Sequence, residues 1–179
     1  MQKTWSLILL ALPAALLGGH PPSSIPRSPA QQFVTSGLFE GGSDAGANLE
    51  RLRRADHPGF ERWVVDFSDL AENMGGAAPR FQLRYEKADK IELPEGGDLI
   101  RKPARFPFLF RQIQKNRLDE TKLNRLVKKS KFVKEIHLYP PIEKGDMAME
   151  FVLSEDVEFT PHQPLKGEGR LVLDLRAKP

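Results

Sequence analysis

The chain has 179 residues, no cysteine and a formal charge of +3, with 40% hydrophobic and 28% charged residues. This length suits one ordinary domain with tails. The hydrophobic content is too high for a chain that is disordered throughout. Without cysteine, the chain has no disulfide, no thiolate metal site and no thiol nucleophile. Composition thus excludes several classes of protein without indicating a ligand.

Residues 1–19 are predicted to form a secretory signal peptide. Lys3 precedes an apolar run over residues 5–17, and Gly18 and Gly19 are small residues where cleavage is expected. The run is shorter than the roughly 20 residues that cross a bilayer, but it is typical of the hydrophobic region of a signal. An uncleaved N-terminal anchor is the alternative. Both interpretations predict an exported chain, periplasmic or secreted, with no later membrane span.

Residues 20–48 are predicted to be a flexible linker, because proline, serine, glycine and alanine dominate them. The folded domain is expected from residue 49 to residue 179. Within it, large apolar side chains recur at every second position of residues 62–67, 80–86, 147–153 and 170–176. This alternation is typical of strands with one buried face. Weaker strands are predicted at 49–55, 90–93, 132–138 and 156–160.

One amphipathic helix is predicted over residues 119–129. Leu123, Leu126 and Val127 recur at helical spacing, and Asp119 is a suitable N-cap. Residues 106–110 (FPFLF) are either an edge strand or a packed loop. Many short strands, short connections and a single helix predict a mainly β fold, an antiparallel β-sandwich or a small open barrel with one helix.

The search for catalytic chemistry finds no nucleophile elbow, phosphate loop, dinucleotide fingerprint or zinc motif. Asp66 and Asp174 lie inside apolar strands, where two carboxylates could act as an acid and base pair. The simpler interpretation is that each faces outward from its strand, or hydrogen-bonds a neighbouring turn. No catalytic residue, metal ligand or cofactor is therefore predicted, and the chain is not expected to be an enzyme.

The net charge conceals an uneven distribution. Residues 101–134 hold twelve Lys or Arg and two acids, a formal charge of +10, whereas 24–100 and 135–179 each carry −4. Such a block favours an anionic polymer or an acidic protein over nucleic acid in an exported chain. The alternative is a solvated face paired with the acidic flanks. The candidate ligand-binding residues are Arg111, Lys115, Lys122, Arg125, Lys128, Lys129, Lys131 and Lys134.

Two motifs resemble AMIN domains, the amidase N-terminal modules of bacterial envelope proteins. They are residues 52–67 (LRRADHPGFERWVVDF) and the closing residues 169–175 (GRLVLDL). Between the motif's strands, Pro58 and Gly59 are expected to form a tight turn, Phe60 to cap the core, and Arg62 to bond turn carbonyls or carboxylates. The basic block looks like an insertion into that pattern.

The resemblance implies an antiparallel β-sandwich that targets proteins to the cell envelope, often through peptidoglycan. The predicted function is therefore a non-enzymatic exported module that binds peptidoglycan or localises to the cell wall. The alternative is an assembly or scaffold factor whose basic helix docks on an acidic envelope protein.

Overall fold

The structure is a computed structural model that describes residues 32–69, 77–91, 100–141, 145–163 and 169–179. The predicted signal peptide, residues 20–31 of the predicted linker and several of the predicted turns lie outside these ranges.

Twelve strands and one helix occur in this part of the chain. In chain order they are β1 (Gly37–Gly41), β2 (Ala47–His57), β3 (Phe60–Ser68), β4 (Phe81–Tyr85), β5 (Asp89–Ile91), β6 (Ile100–Lys102), β7 (Arg105–Phe110), β8 (Ile113–Asn116), α1 (Glu120–Val127), β9 (Val133–Leu138), β10 (Met147–Leu153), β11 (Val157–His162) and β12 (Arg170–Ala177).

The strands form two five-stranded sheets, which confirms the predicted β-sandwich. Sheet I has the order β11-β12-β3-β2-β8, and sheet II has the order β1-β4-β7-β10-β9. All neighbours in the two sheets are antiparallel except β2 and β8, which are parallel. Strands β5 and β6 form a separate pair. In the described part of the chain, neither sheet closes on itself into a barrel.

The inward faces of both sheets share one hydrophobic core. The alternating residues of each predicted strand supply it, because every second side chain points to the same face. At its centre, the ring of Phe151 on β10 lies 5.0 Å from Trp63 on β3 and 5.0 Å from Phe108 on β7. The contact with Trp63 joins sheet II to sheet I, and the contact with Phe108 lies within sheet II.

The folded domain begins earlier than the predicted boundary at residue 49. Val34 and Phe159 exchange two backbone hydrogen bonds, of 2.8 and 2.9 Å, at the β11 edge of sheet I. The chain then reaches sheet II, where β1 pairs with β4. Phe39 packs edge-on against Phe159 with ring centroids 5.5 Å apart. Residues 32–41 therefore close one side of the sandwich, although their apolar residues are too few to show a period.

Helix α1 closes the opposite side, where it contacts β9 of sheet II and β2 of sheet I. The Asp119 carboxylate accepts a 3.0 Å bond from the backbone N–H of Lys122, which confirms the predicted N-cap. Leu123 is buried, and Leu126 and Val127 pack against the core. The predicted helix and its apolar face are thus confirmed.

Residues 106–110 belong to an inner strand, β7, which is neither an edge strand nor a loop. The pairing of β7 with β4 runs as far as Phe108 and resumes at a bridge between Arg105 and Glu86. Pro107 lies in the interval. Proline has no backbone N–H that could donate a hydrogen bond to β4. The hydrogen bonding between β7 and β4 is therefore interrupted at Pro107.

Candidate ligand-binding surfaces

Six of the eight predicted basic residues lie along or just after α1, and all six are exposed. We call them the helix patch: Lys122, Arg125, Lys128, Lys129, Lys131 and Lys134. The backbone N–H of Lys131 donates a 2.9 Å bond to the Glu61 carboxylate, which ties the end of the helix segment to β3. The helix patch therefore sits on a segment held from both sides, by the core under Leu123 and by Glu61.

Of the other two predicted residues, Lys115 lies on β8 at the edge of sheet I, and Arg111 lies apart from Lys134 of the helix patch. Arg111 directly follows the end of β7 that pairs with Met147, whereas Lys134 lies near the Val152 end of the same β10 strand. Met147 and Val152 are five residues apart, which corresponds to about 17 Å along β10. The eight predicted residues therefore form more than one surface.

The cations of the basic block differ in their ion pairs. Arg111 bonds Asp146 at 2.8 Å, and Arg105 and Arg117 outside the predicted set also have carboxylate partners. In the helix patch, Lys122 lies 4.0 Å from Asp119 of its own helix. Within the described ranges, no carboxylate forms an ion pair with the side chains of the remaining five. The acidic flanks thus pair with the arginines of the strands and loops, and leave the helix patch available.

Sequence reasoning missed a second concentration of charge, on the outward face of sheet I. Asp66 of β3 accepts hydrogen bonds from three guanidinium groups: Arg51 and Arg53 at 2.7 Å and Arg170 at 3.0 Å. We call these four residues the arginine cluster. Arg51 and Arg53 are two residues apart, which places both side chains on one face of β2. The alternation of side chains along a strand could therefore have predicted that these two arginines lie together.

The arginines determine the ionisation of Asp66. Burial by itself raises the pKa of this carboxyl, but the hydrogen bonds and positive charges of Arg53 and Arg51 outweigh burial and lower the pKa below its ordinary value. Asp66 is therefore an ionised carboxylate near neutral pH, suited to holding arginines in place and unsuited to donating a proton.

Replacing Asp66 with asparagine tests this effect. Because the folded-state pKa lies below the unfolded-state value, the carboxylate contributes stability that is fully present above about pH 4 and lost as pH falls through the folded-state pKa. We expect the difference in unfolding free energy between the native chain and D66N to shrink from about pH 6 to about pH 3. Urea denaturation across this range measures it, and a difference that stays constant contradicts the assignment.

Asp174 of β12 is fully buried and accepts two hydrogen bonds, of 2.7 and 2.8 Å, from Arg62. This confirms the expected carboxylate bond of Arg62. Asp66 pairs in register with Arg170, four residues from Asp174 along β12, which corresponds to about 13 Å. The carboxyls of glycosidase pairs lie roughly 5 to 9.5 Å apart, so this spacing does not suit an acid and base pair.

The turn between β2 and β3 confirms one expectation and corrects another. Pro58 and Gly59 connect the strands, and Gly59 has a φ of 85°, which glycine adopts without strain. Phe60 does not cap the core. It lies on the outward face of sheet I, stacked on His57 with ring centroids 4.8 Å apart, because the strand period places Glu61 and not Phe60 on the inward face.

Glu61 organises the end of the core and was not singled out from the sequence. Its carboxylate accepts 2.6 Å bonds from the Trp63 indole and the Ser130 hydroxyl, and 2.9 Å bonds from Arg54 and the Lys131 backbone. The side chain is 1% exposed. Glu61 thus connects both strands of the β2–β3 hairpin to the end of the helix segment.

Comparison with protein-family models finds no match, and no curated protein matches the chain significantly. The AMIN resemblance stays a prediction. No helix within the described ranges is both long and apolar enough to cross a membrane. In the same ranges, no three His, Asp or Glu side chains are grouped in a way that could hold a metal ion.

Proposed function

We propose that this chain is a non-enzymatic module of the bacterial cell envelope that binds peptidoglycan, or another anionic envelope polymer, through the helix patch. The observation that carries the proposal is the set of exposed cations from α1 to the start of β9, of which only the Lys122 side chain lies within ion-pair distance of a described carboxylate. Cations that are not neutralised within the fold are available to an external polyanion.

The scaffold under these cations supports the same proposal. The helix packs through Leu123, and the backbone of Lys131 is bonded to buried Glu61. A positioned row of cations loses less conformational entropy on binding than a flexible tail does. The AMIN resemblance and the predicted signal peptide are what point to an envelope polymer in particular.

A pull-down on purified peptidoglycan tests the proposal with two variants of equal charge change. The first replaces Lys122, Arg125, Lys128 and Lys129 with glutamine. The matched control replaces Arg80, Arg84, Lys87 and Lys178, four exposed cations outside the candidate set, with the same residue. We expect the first variant to bind at least about tenfold more weakly, the control to bind nearly as the native chain does, and added salt to weaken binding.

Equal losses in the two variants would show a response to net charge alone and would contradict the assignment to the helix patch. Absence of peptidoglycan binding, with crosslinks from α1 to one acidic envelope protein in cells, would replace the proposal with the assembly-factor alternative.

A further inference from the structure

Strand β9 leaves one edge of sheet II without a partner strand in the described part of the chain. It is the last strand in the sheet order and pairs only with β10. The Tyr139 N–H, directly after β9, donates a 3.0 Å bond to the Ala148 carbonyl of β10. Because hydrogen-bonded positions alternate along an antiparallel pair, His137 also bonds towards β10, whereas the backbone groups of Ile136 and Leu138 point away from the sheet. These two residues thus offer two donors and two acceptors along the open edge.

The other three sheet edges are less suited to receiving a strand. Strand β11 already exchanges two backbone hydrogen bonds with Val34 at Phe159, and β8 has only four residues. Strand β1 has glycine at both ends, Gly37 and Gly41, and glycine weakens a strand. In β9, by contrast, residues 135–138 pair with β10 in regular register and include neither glycine nor proline. Of the four edges, β9 therefore offers the best template for another strand.

This open edge lies within a strongly basic part of the chain. Residues 122–138 contain six Lys or Arg and one carboxylate, Glu135, which gives a formal charge of +5. Lys134 lies on β9 itself and Lys131 lies three residues earlier; both are exposed, and neither side chain forms an ion pair with a described carboxylate. Glu135 lies 3.2 Å from the ring of His137 on the same strand. The charge along the edge thus favours a strand that carries acidic side chains.

We propose that β9 receives an extended acidic segment of a partner protein, which adds one more strand to sheet II. Main-chain hydrogen bonds to Ile136 and Leu138 supply the affinity, and acidic side chains near Lys131 and Lys134 supply the specificity. Ile136 and Leu138 are only partly buried, so apolar side chains of the added strand extend the core beside them. The segment therefore alternates apolar and acidic residues. This inference goes beyond the proposed function, because polymer binding does not use the backbone of β9.

Selection of peptides of about eight residues from a random display library, with the full chain as the target, tests the proposal. We expect the recovered peptides to be enriched in β-branched residues that alternate with Asp and Glu. Their binding is expected to shift the backbone amide signals of Ile136 and Leu138 in nuclear magnetic resonance spectra. Recovery of no binding peptide, of peptides without acidic residues, or of peptides that shift only signals of α1 would overturn the proposal.

Proline substitution separates strand addition from general electrostatics. I136P removes a backbone donor from the open edge of β9, and L38P places the same residue on β1, at the opposite edge of sheet II. We expect the recovered peptides to bind I136P at least about tenfold more weakly than the native chain and L38P nearly as well as the native chain. I136A measures the effect of the side chain alone. Equal affinity for I136P and L38P would overturn the proposal.

Charge reversal at Lys134 keeps the test available if I136P does not fold, because Lys134 is exposed. We expect K134E to bind the recovered peptides about fivefold more weakly. Unchanged affinity in K134E would contradict the preference for an acidic strand.

A second copy of the chain is the other occupant that such an edge could take. Sedimentation of the native chain without peptide is expected to show a monomer. A dimer that I136P abolishes, and that excludes the recovered peptides, would assign the edge to a second copy and overturn the proposal. Because Ile136 lies outside the helix patch, I136P is expected to bind peptidoglycan as the native chain does. Failure of this inference is therefore distinguishable from failure of the proposed function.

Discussion

Replacing Glu61 with alanine is expected to lower the free energy of unfolding by about 3 to 5 kcal/mol. The substitution removes the carboxylate from a side chain that is 1% exposed and leaves Arg54, whose side chain is 6% exposed, without its buried partner. Arg54 then keeps only the exposed carboxylate of Asp56 as a partner, and a buried charge that loses its buried partner is costly. The Trp63 indole and the Ser130 hydroxyl lose their acceptor at the same time.

Urea denaturation of E61A measures this effect, with E135A as the matched control, since Glu135 is an exposed carboxylate on β9. The control is expected to change the unfolding free energy by about 0.5 kcal/mol or less. E61Q retains an oxygen acceptor but loses the negative charge, so its loss of unfolding free energy should lie between those of E61A and E135A. This variant keeps the prediction measurable if E61A does not fold. Equal stability of E61A and E135A would refute the role assigned to Glu61.

Replacing Phe151 with alanine is expected to cost about 3 to 5 kcal/mol for a different reason. Phe151 is fully buried and contacts Trp63 of sheet I and Phe108 of sheet II. Truncation removes an aromatic side chain and leaves a cavity between two sheets whose own hydrogen bonding resists collapse. The cost combines the lost transfer free energy with the lost packing contacts.

The controls for this prediction are F151L and L38A. Leucine retains most of the volume, so F151L should be less destabilising than F151A and serves as the readout if F151A fails to fold. Leu38 is 52% exposed on β1, and its truncation is expected to change stability by about 0.5 kcal/mol or less. Thermal and urea unfolding measure all three. A cost for F151A near that of L38A would contradict the packing described here.

The strands and helix that face water on one side could be predicted from the sequence. In β4, polar side chains alternate with buried apolar ones, and in α1 the apolar residues recur at helical spacing, so the period itself reveals the buried face. Strand β7 could not be assigned because Pro107 is unusual in an inner strand, and the gap that it creates is visible only when β4 is in place.

The start of the domain was not predictable for a related reason. Val34 and Phe39 contact the core from a segment rich in glycine and serine, and β1 gains its place from pairing with β4 more than from its own composition. When pairing with a neighbouring strand determines where a strand forms, its own sequence indicates the strand only weakly.

The candidate sites show the limit of counting charges along the chain. Counting found α1 and the start of β9, where cations are adjacent in sequence. It also included Arg111, which the fold pairs with Asp146. It missed Arg51 and Arg170, which are distant in sequence and meet at Asp66 because β2, β3 and β12 are neighbours.

The position of β12 has a consequence for the order in which the protein folds. The last strand of the chain lies between β11 and β3, and Arg62 and its partner Asp174 are 112 positions apart. Sheet I is therefore incomplete until residues 170–177 have been synthesised, because β11 joins β3 only through β12. Such long-range pairing is slow, so sheet I is expected to form late in folding. Until β12 is in place, β3 presents an unpaired edge that is open to pairing with a strand of another chain.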